Sequence, residues 1–270
     1  MSNDFVWGTE TYRAFALELG SNGAPLATST AVYEGLEIEG VQDFVPNFPT
    51  PRAIAGVAQG RVRDTIYLPS IEAQTATMHA LYDILDTNAK LMGVKKQTIA
   101  TREHVAYQTN KGGQEPDVAL IVSRLVTHNQ DGSTVWNHYL LPRARVLPTG
   151  SPFDANASKF TYNVAISKAL KHIWGTALTE ALDGCTEMGL LDIVSNDRLN
   201  IVAYKSDGSE DNYLLPVAKP AVDAGVNMKV YDYTAGTDIT AHITPTALDF
   251  TIGGGYVPAL NSIMVAVYEF

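Results

Sequence analysis

The feature that most constrains this chain is the contrast between one stretch of helical spacing, Ser70 to Met92, and the β-type alternation on either side of it. Ile71, Met78, Leu81, Tyr82, Leu85 and Met92 recur at intervals of three, four and seven, which predicts one apolar helical stripe over 70–92 packed on a sheet. Pro69 ends the preceding extended run, Ser70 is placed to cap the helix, Glu72 lies in its first turn, and Gly93 is placed to end it. Within that stripe Ile71, Met78, Leu81 and Leu85 are the expected packing residues.

The flanking runs read as strands. From Ala31 to Asp43, Leu36 and Ile38 fall on one side and Glu37, Glu39 and Asp43 on the other. Arg52 to Leu68 reads as a second extended piece, with Gly56 and Gly60 marking a bend or bulge. Extended pieces resume at Val94 to Thr109 and at Asp117 to His128. Asn129-Gln130-Asp131-Gly132-Ser133 then predicts a hairpin, because Asp-Gly supplies the positive φ angles of a tight reversal. Its return strand runs from Thr134 to Val146. The cleanest alternation is Phe160, Tyr162, Val164 and Ile166 against Lys159, Thr161, Asn163 and Ser167. Beyond Thr176 the chain turns acidic and rich in small residues, and we place a domain boundary at 191/192. After it, short runs recur at sandwich-like intervals: Asn200–Lys205, Asn212–Val217, Asn227–Tyr233, Asp238–Ile243, Ala247–Ile252 and Ser262–Phe270.

Composition excludes several functions. Against 19 Lys and Arg stand 29 Asp and Glu, a formal charge of −10, so the chain lacks the clustered cations that tight phosphate-backbone binding needs. An acidic wall can still let a polyanion slide past without adhering. Cys185 is the only cysteine, which removes an internal disulfide and a cysteine-based zinc site. Met1 to Glu10 does not read as a signal peptide, and no window offers the run of about 18 apolar residues expected of a membrane-spanning helix, so membrane insertion is not expected.

Reaction chemistry is sparse. The histidines at 79, 104, 128, 138, 172 and 242 have no metal-ligand spacing, although His128 and His138 flank the hairpin turn and can face each other across it. Asp207 to Asn212 is acidic but lacks the calcium-loop pattern and reads as a solvated turn. No phosphate-binding glycine fingerprint or nucleophile elbow occurs, and Cys185 with His172 is a pair expected by chance. The expectation is a structural protein that is not an enzyme and needs no cofactor or metal. The alternative is a soluble β-sandwich binding module for carbohydrate or receptor adhesion, using Trp136, Trp174 and Tyr256 as an aromatic platform.

The layout resembles the major tail tube protein of long-tailed, siphovirus-type bacteriophages. The resemblance rests on the strand Ala31 to Asp43, the stretch Arg52-Ala53-Ile54-Ala55-Gly56 to Asp64 with the helix behind it, and Phe160-Thr161-Tyr162-Asn163-Val164 to Trp174-Gly175-Thr176. It implies a mainly β fold: a tail-tube-like β-sandwich or barrel with one flanking α-helix over residues 1–191, and a C-terminal β-sandwich of immunoglobulin type over 192–270. It also implies homo-oligomeric rings, hexameric in that family, stacked into a tube of the virion tail that is assembled in the host cytoplasm. The implied partners are other copies of the chain, the tape measure and terminator proteins, and genomic DNA that passes through unbound. In such a ring Glu37, Glu39 and Asp43, opposite the apolar face of their strand, would look into the lumen.

Overall fold

The computed structural model describes residues 12–38, 40–47, 52–58, 61–68, 74–80, 89–91, 96–99, 102–105, 115–127, 134–149, 160–167, 191–209 and 212–270. The fold is mainly β and antiparallel, as the alternating runs predict. The first strands are β1 (Tyr12–Glu18), β2 (Leu36–Ile38), β3 (Val41–Asn47), β4 (Arg52–Ala58), β5 (Arg61–Leu68) and β6 (Thr75–Ala80). They are followed by β7 (Lys96–Ile99), β8 (Arg102–Val105), β9 (Val118–Thr127), β10 (Thr134–Pro148), β11 (Phe160–Ile166) and β12 (Leu191–Ser195).

One sheet runs in the order β2-β1-β9-β10-β11-β6-β3, with β12 also paired to β10. Strands β2 and β3 are neighbours in sequence yet stand at opposite ends of this order, so the sheet rolls round its inner face. Ala14, Ile38, Phe44, Met78, Leu120, Leu141, Tyr162 and Val164, drawn from all seven strands, fill one buried cluster. The Phe44 and Tyr139 rings lie 5.6 Å apart across it, although two strands intervene between β3 and β10. Two glycines permit the path between edges. Gly35, at φ +75°, enters β2 where a Cβ would lie 2.6 Å from the Ala16 carbonyl oxygen, and Gly40, at φ +68°, separates β2 from β3. The single strand expected over Ala31 to Asp43 is thus two strands broken at Gly40.

The helix expected over 70–92 is corrected by β6. Thr75 to Ala80 is extended and paired on both sides, to β11 and to β3, and burial alternates so that Ala76, Met78 and Ala80 point inward. Met78 is buried as expected, but in a strand. Two hydrogen-bonded neighbours and the β-branched Thr75 and Thr77 outweigh the longer apolar spacing that reads as a helix. Helical residues in that span are 89–91, where Ala89 and Leu91 are buried. Ile71, Leu81 and Leu85 lie outside the described residues.

The C-terminal strands are β13 (Leu199–Lys205), β14 (Asn212–Leu214), β15 (Lys229–Asp232), β16 (Thr237–Asp238), β17 (Ile243–Pro245), β18 (Asp249–Ile252) and β19 (Ile263–Glu269). They form a sandwich of two sheets, β13-β19-β15-β16 and β14-β18-β17. Between them lie Val202, Tyr204, Tyr213, Phe250, Met264 and Tyr268, with the Tyr213 and Phe250 rings stacked at 5.2 Å and Tyr204 edge-on to both.

The first of these sheets is buried on both faces. Its other side, Leu199, Ile201, Ala203, Val265 and Val267, packs on Leu17, Leu19, Ala119, Ile121 and Leu140, the outward-facing residues of β1, β9 and β10 and the start of the loop after β1. The molecule is therefore a stack, with the rolled sheet, the β13 sheet and the β14 sheet in succession. A strap over residues 20–35 crosses this seam. Tyr33 and Ala203 exchange backbone hydrogen bonds at 2.9 and 3.0 Å, and the Tyr233 hydroxyl donates to the Gly23 carbonyl at 2.9 Å.

Candidate functional site: an open sheet face, unpaired hairpins and a polar seam

Only part of the rolled sheet's outer face lies under the C-terminal layer. The β11 part of that face presents Asn163 and Ala165 to solvent, and β3 presents Val45 and Asn47. Asp43 Oδ1 and His79 Nδ1, side by side in the β3–β6 register, lie 2.5 Å apart on this open face. Glu37 stands at the far end of the strand order, on β2, 3.2 Å from the Arg13 guanidinium. The predicted acids thus divide: Glu37 and Asp43 are on different edge strands, each beside a basic partner, and Glu39 lies outside the described residues.

Among the described residues, two hairpins form sheets of two strands each. Arg52 to Leu68, expected as one extended piece, is the antiparallel pair β4–β5, with a register shift between Gly56 and Val57 where the bulge is predicted. Likewise β7 pairs with β8. Among the described residues neither hairpin bonds to a third strand. The edges of the rolled sheet are guarded unequally. Strand β3 carries Pro46 and a register shift between Val41 and Asp43, both of which discourage edge pairing, and β2 is three residues long. By contrast β12 has neither proline nor bulge, and Val194 on it is 63% exposed.

At the seam a chain of hydrogen-bonded polar groups runs from β9 to the linker before β13. The β9–β10 register sets Ser123 opposite His138, and β12 lies on the other side of β10. The Ser123 hydroxyl is 2.7 Å from His138 Nδ1, the Ser195 hydroxyl is 2.6 Å from Nε2, and Ser195 donates to the Asp197 carbonyl at 2.6 Å. Because the Ser195 proton is spent on Asp197, Ser195 accepts from Nε2–H, and Ser123 donates to Nδ1. The ring is neutral in this arrangement. Burial pushes its pKa down to about 4, and the Asp197 carbonyl opposes the shift only weakly. His138 therefore faces Ser123, and His128 lies outside the described residues. The cluster resembles a nucleophile and its base, but Ser123 is 2% exposed and closed to any substrate.

Further charges brace the same region. Asp117 accepts from Arg145 Nε at 2.7 Å and from Arg143. Burial works to raise its pKa, and the two guanidiniums outweigh burial and hold it below the ordinary carboxylate range. Lys219 reaches back from the C-terminal layer to Glu34 at 3.3 Å, with its ammonium 4.3 Å from the Phe15 ring centre. A cavity of about 180 Å³ lined by Glu18, Tyr33, Lys90 and Leu91 lies beside the strap, and an open groove of about 580 Å³ lies on its other side near Lys205 and Asn261.

Of the residues expected to form an aromatic platform, Trp136 lies on β10 and Tyr256 follows β18. Trp136 has the Arg198 guanidinium over its ring at 5.6 Å. Tyr256 donates its hydroxyl to Asp232 at 2.8 Å, and burial together with that carboxylate pushes its pKa up to about 12. Trp174 lies outside the described residues. In the acidic turn Asp207 accepts from the backbone and hydroxyl of Ser209, and Asn212 donates to Asp249 at 3.2 Å. A scan against protein-family models finds no match for the chain, and a search of curated proteins finds none either.

Proposed function

We propose that the chain is a structural, self-assembling subunit of the phage tail-tube type, forming stacked rings around a channel for DNA. The observation that carries this reading is the pair of hairpins, β4–β5 and β7–β8, that join no larger sheet among the described residues. A two-stranded hairpin alone is marginal in water, so such arms gain most when they pack on another surface, and copies of one chain supply that surface in a ring. The unguarded β12 edge adds a second place for contact between copies.

In this proposal Asp43, on the open face, looks toward the DNA, whereas Glu37 stands opposite Phe15 on the side toward the C-terminal layer. The His79 ring lies against Asp43, so the wall repels a polyanion more gently than free carboxylates would. The fold serves as a scaffold with no catalytic part, and the C-terminal layer is an outer decoration of the ring. The test is sedimentation and negative-stain imaging of the purified full chain over a range of concentration and salt. Rings or tubes are expected, and they should be lost when 52–68 is replaced by a short Gly-Ser link. A compact monomer under every condition would overturn the proposal, and sugar affinity in that monomer would favour the adhesive module instead.

A further inference from the structure

We propose that Ser123, His138 and Ser195 form a proton-operated latch on the seam, and that protonation of the ring releases the C-terminal layer from the rolled sheet. The hydrogen-bond chain runs from β9 through β10 and β12 to Asp197, two residues before β13 begins. There the linker is tied onward: Phe270, next to the end of β19, donates its backbone N–H to the Arg198 carbonyl at 2.8 Å. Arg198 also lies between the Trp136 and Phe270 rings, at 5.6 and 5.4 Å. Loosening the ring therefore acts where the chain passes from one layer to the next.

Protonation disrupts the chain in two ways. A charged imidazole donates from both nitrogens, so Ser123 must turn its own proton away in a site where it is 2% exposed. The positive charge also arrives at a buried ring to which, among the described residues, no carboxylate is hydrogen-bonded. On β1, Arg13 lies opposite Ser123 in the β1–β9 register and is paired with Glu37 of β2. From the linker come Arg198 and the Asp197 carbonyl, while β9, β10 and β12 offer Ser123, Trp136 and Ser195. The charges among these residues are thus the cations Arg13 and Arg198 and the acids Glu37, paired with Arg13, and Asp197, whose carbonyl takes the Ser195 proton. In the opened seam water solvates the ring, so the open state takes up a proton that the closed state refuses.

The experiment is hydrogen exchange by mass spectrometry on the full chain from pH 7.5 to 4, corrected for the pH dependence of chemical exchange, alongside ¹⁵N resonances of the histidine rings. At pH 7 the His138 spectrum should report a neutral ring protonated at Nε2. As pH falls from about 6.5, opening of peptides covering 118–127, 199–205 and 263–269 should rise toward tenfold per pH unit, the limit for one linked proton, while 75–80 and 160–166 keep their protection. His138→Gln, which keeps a donor and an acceptor without a titrating ring, should flatten that response. If His138 titrates near pH 6.5 with the seam still protected, or if His138→Gln opens over the same range, the latch is overturned. Should the variant fail to fold, the wild-type spectra and exchange decide alone.

Discussion

Strands β9 and β11 belong to one sheet but obey different rules. In β11 the burial alternates, with Tyr162, Val164 and Ile166 inside and Asn163 and Ala165 in solvent. In β9, Val118, Ala119, Leu120, Ile121 and Val122 are all buried, because even positions fill the roll and Ala119 and Ile121 fill the seam. The same division separates β1 from β6. A strand covered on both faces carries a continuous apolar run, and a strand covered on one face alternates, so the pattern of each strand reports how many layers it serves.

The largest test of this difference removes the second layer. A chain ending at Asn196 keeps β12 but uncovers Leu17, Leu19, Ala119, Ile121 and Leu140. At about 1.5–3 kcal/mol for each large side chain, the loss is of the order of a whole domain's stability. Soluble expression should collapse into aggregate. A soluble, cooperatively unfolding fragment would mean that the rolled sheet stands alone and the C-terminal layer is separable.

Next comes a pairwise scan read by urea denaturation. Leu120→Ala and Ile121→Ala, adjacent in β9, should each cost about 2–5 kcal/mol, since both leave cavities in packed cores. In β11, Val164→Ala should be costly, whereas Asn163→Ala should stay within about 0.5 kcal/mol. Equal tolerance of Ile121→Ala and Asn163→Ala would break the distinction between the two halves.

These strands also mark how far the sequence could be read. The alternation of β11, the hairpin joining β9 to β10 and most C-terminal strands follow from local pattern and turn chemistry. Strand β1 was not expected, because Ala14-Phe15-Ala16-Leu17 lacks the period of two when both faces are buried. In β6 the correct period was present in Thr75-Ala76-Thr77-Met78-His79-Ala80, yet the wider spacing of Met78 with distant apolar residues masked it. The seam joins residues far apart in the chain, and no local pattern encodes such a contact. Half of its polar cluster was nevertheless within reach: counting back from the hairpin, where Thr127 meets Thr134, brings Ser123 opposite His138. Ser195, 57 residues away from His138, had no such signal.

A smaller effect follows from the buried ring of the covered half. The His138 pKa is held near 4 in the folded chain, against an ordinary value of 6.5, so the unfolded chain binds the proton first as pH falls. The neutral ring's contribution is intact above about pH 6.5 and is lost progressively toward pH 4, for a total of about 3 kcal/mol. Urea midpoints for wild type and His138→Gln should therefore converge as pH falls through this window, after their difference at pH 7.5 is taken as reference. Parallel curves would mean that another group controls acid stability.

The smallest expected effect lies on the open half. Asp43 and His79 have side chains 34% and 29% exposed, so water and salt screen their attraction and each retains much of its hydration. Asp43→Asn should change stability by less than about 1 kcal/mol at low salt, with the difference shrinking further as salt is added. Lys219 is the contrasting cation: its side chain is 12% exposed, and it is paired with Glu34 above the Phe15 ring at the covered face. Lys219→Met keeps the length and apolar stem while removing the charge, and it leaves Glu34, 39% exposed, free to turn to water. Its cost should exceed that of Asp43→Asn and should respond less to salt, because the ammonium sits against the layer that excludes solvent. If the two substitutions cost the same and screen alike in matched urea titrations, the covered and open faces do not differ in their electrostatic surroundings, and the contrast between them rests on packing alone.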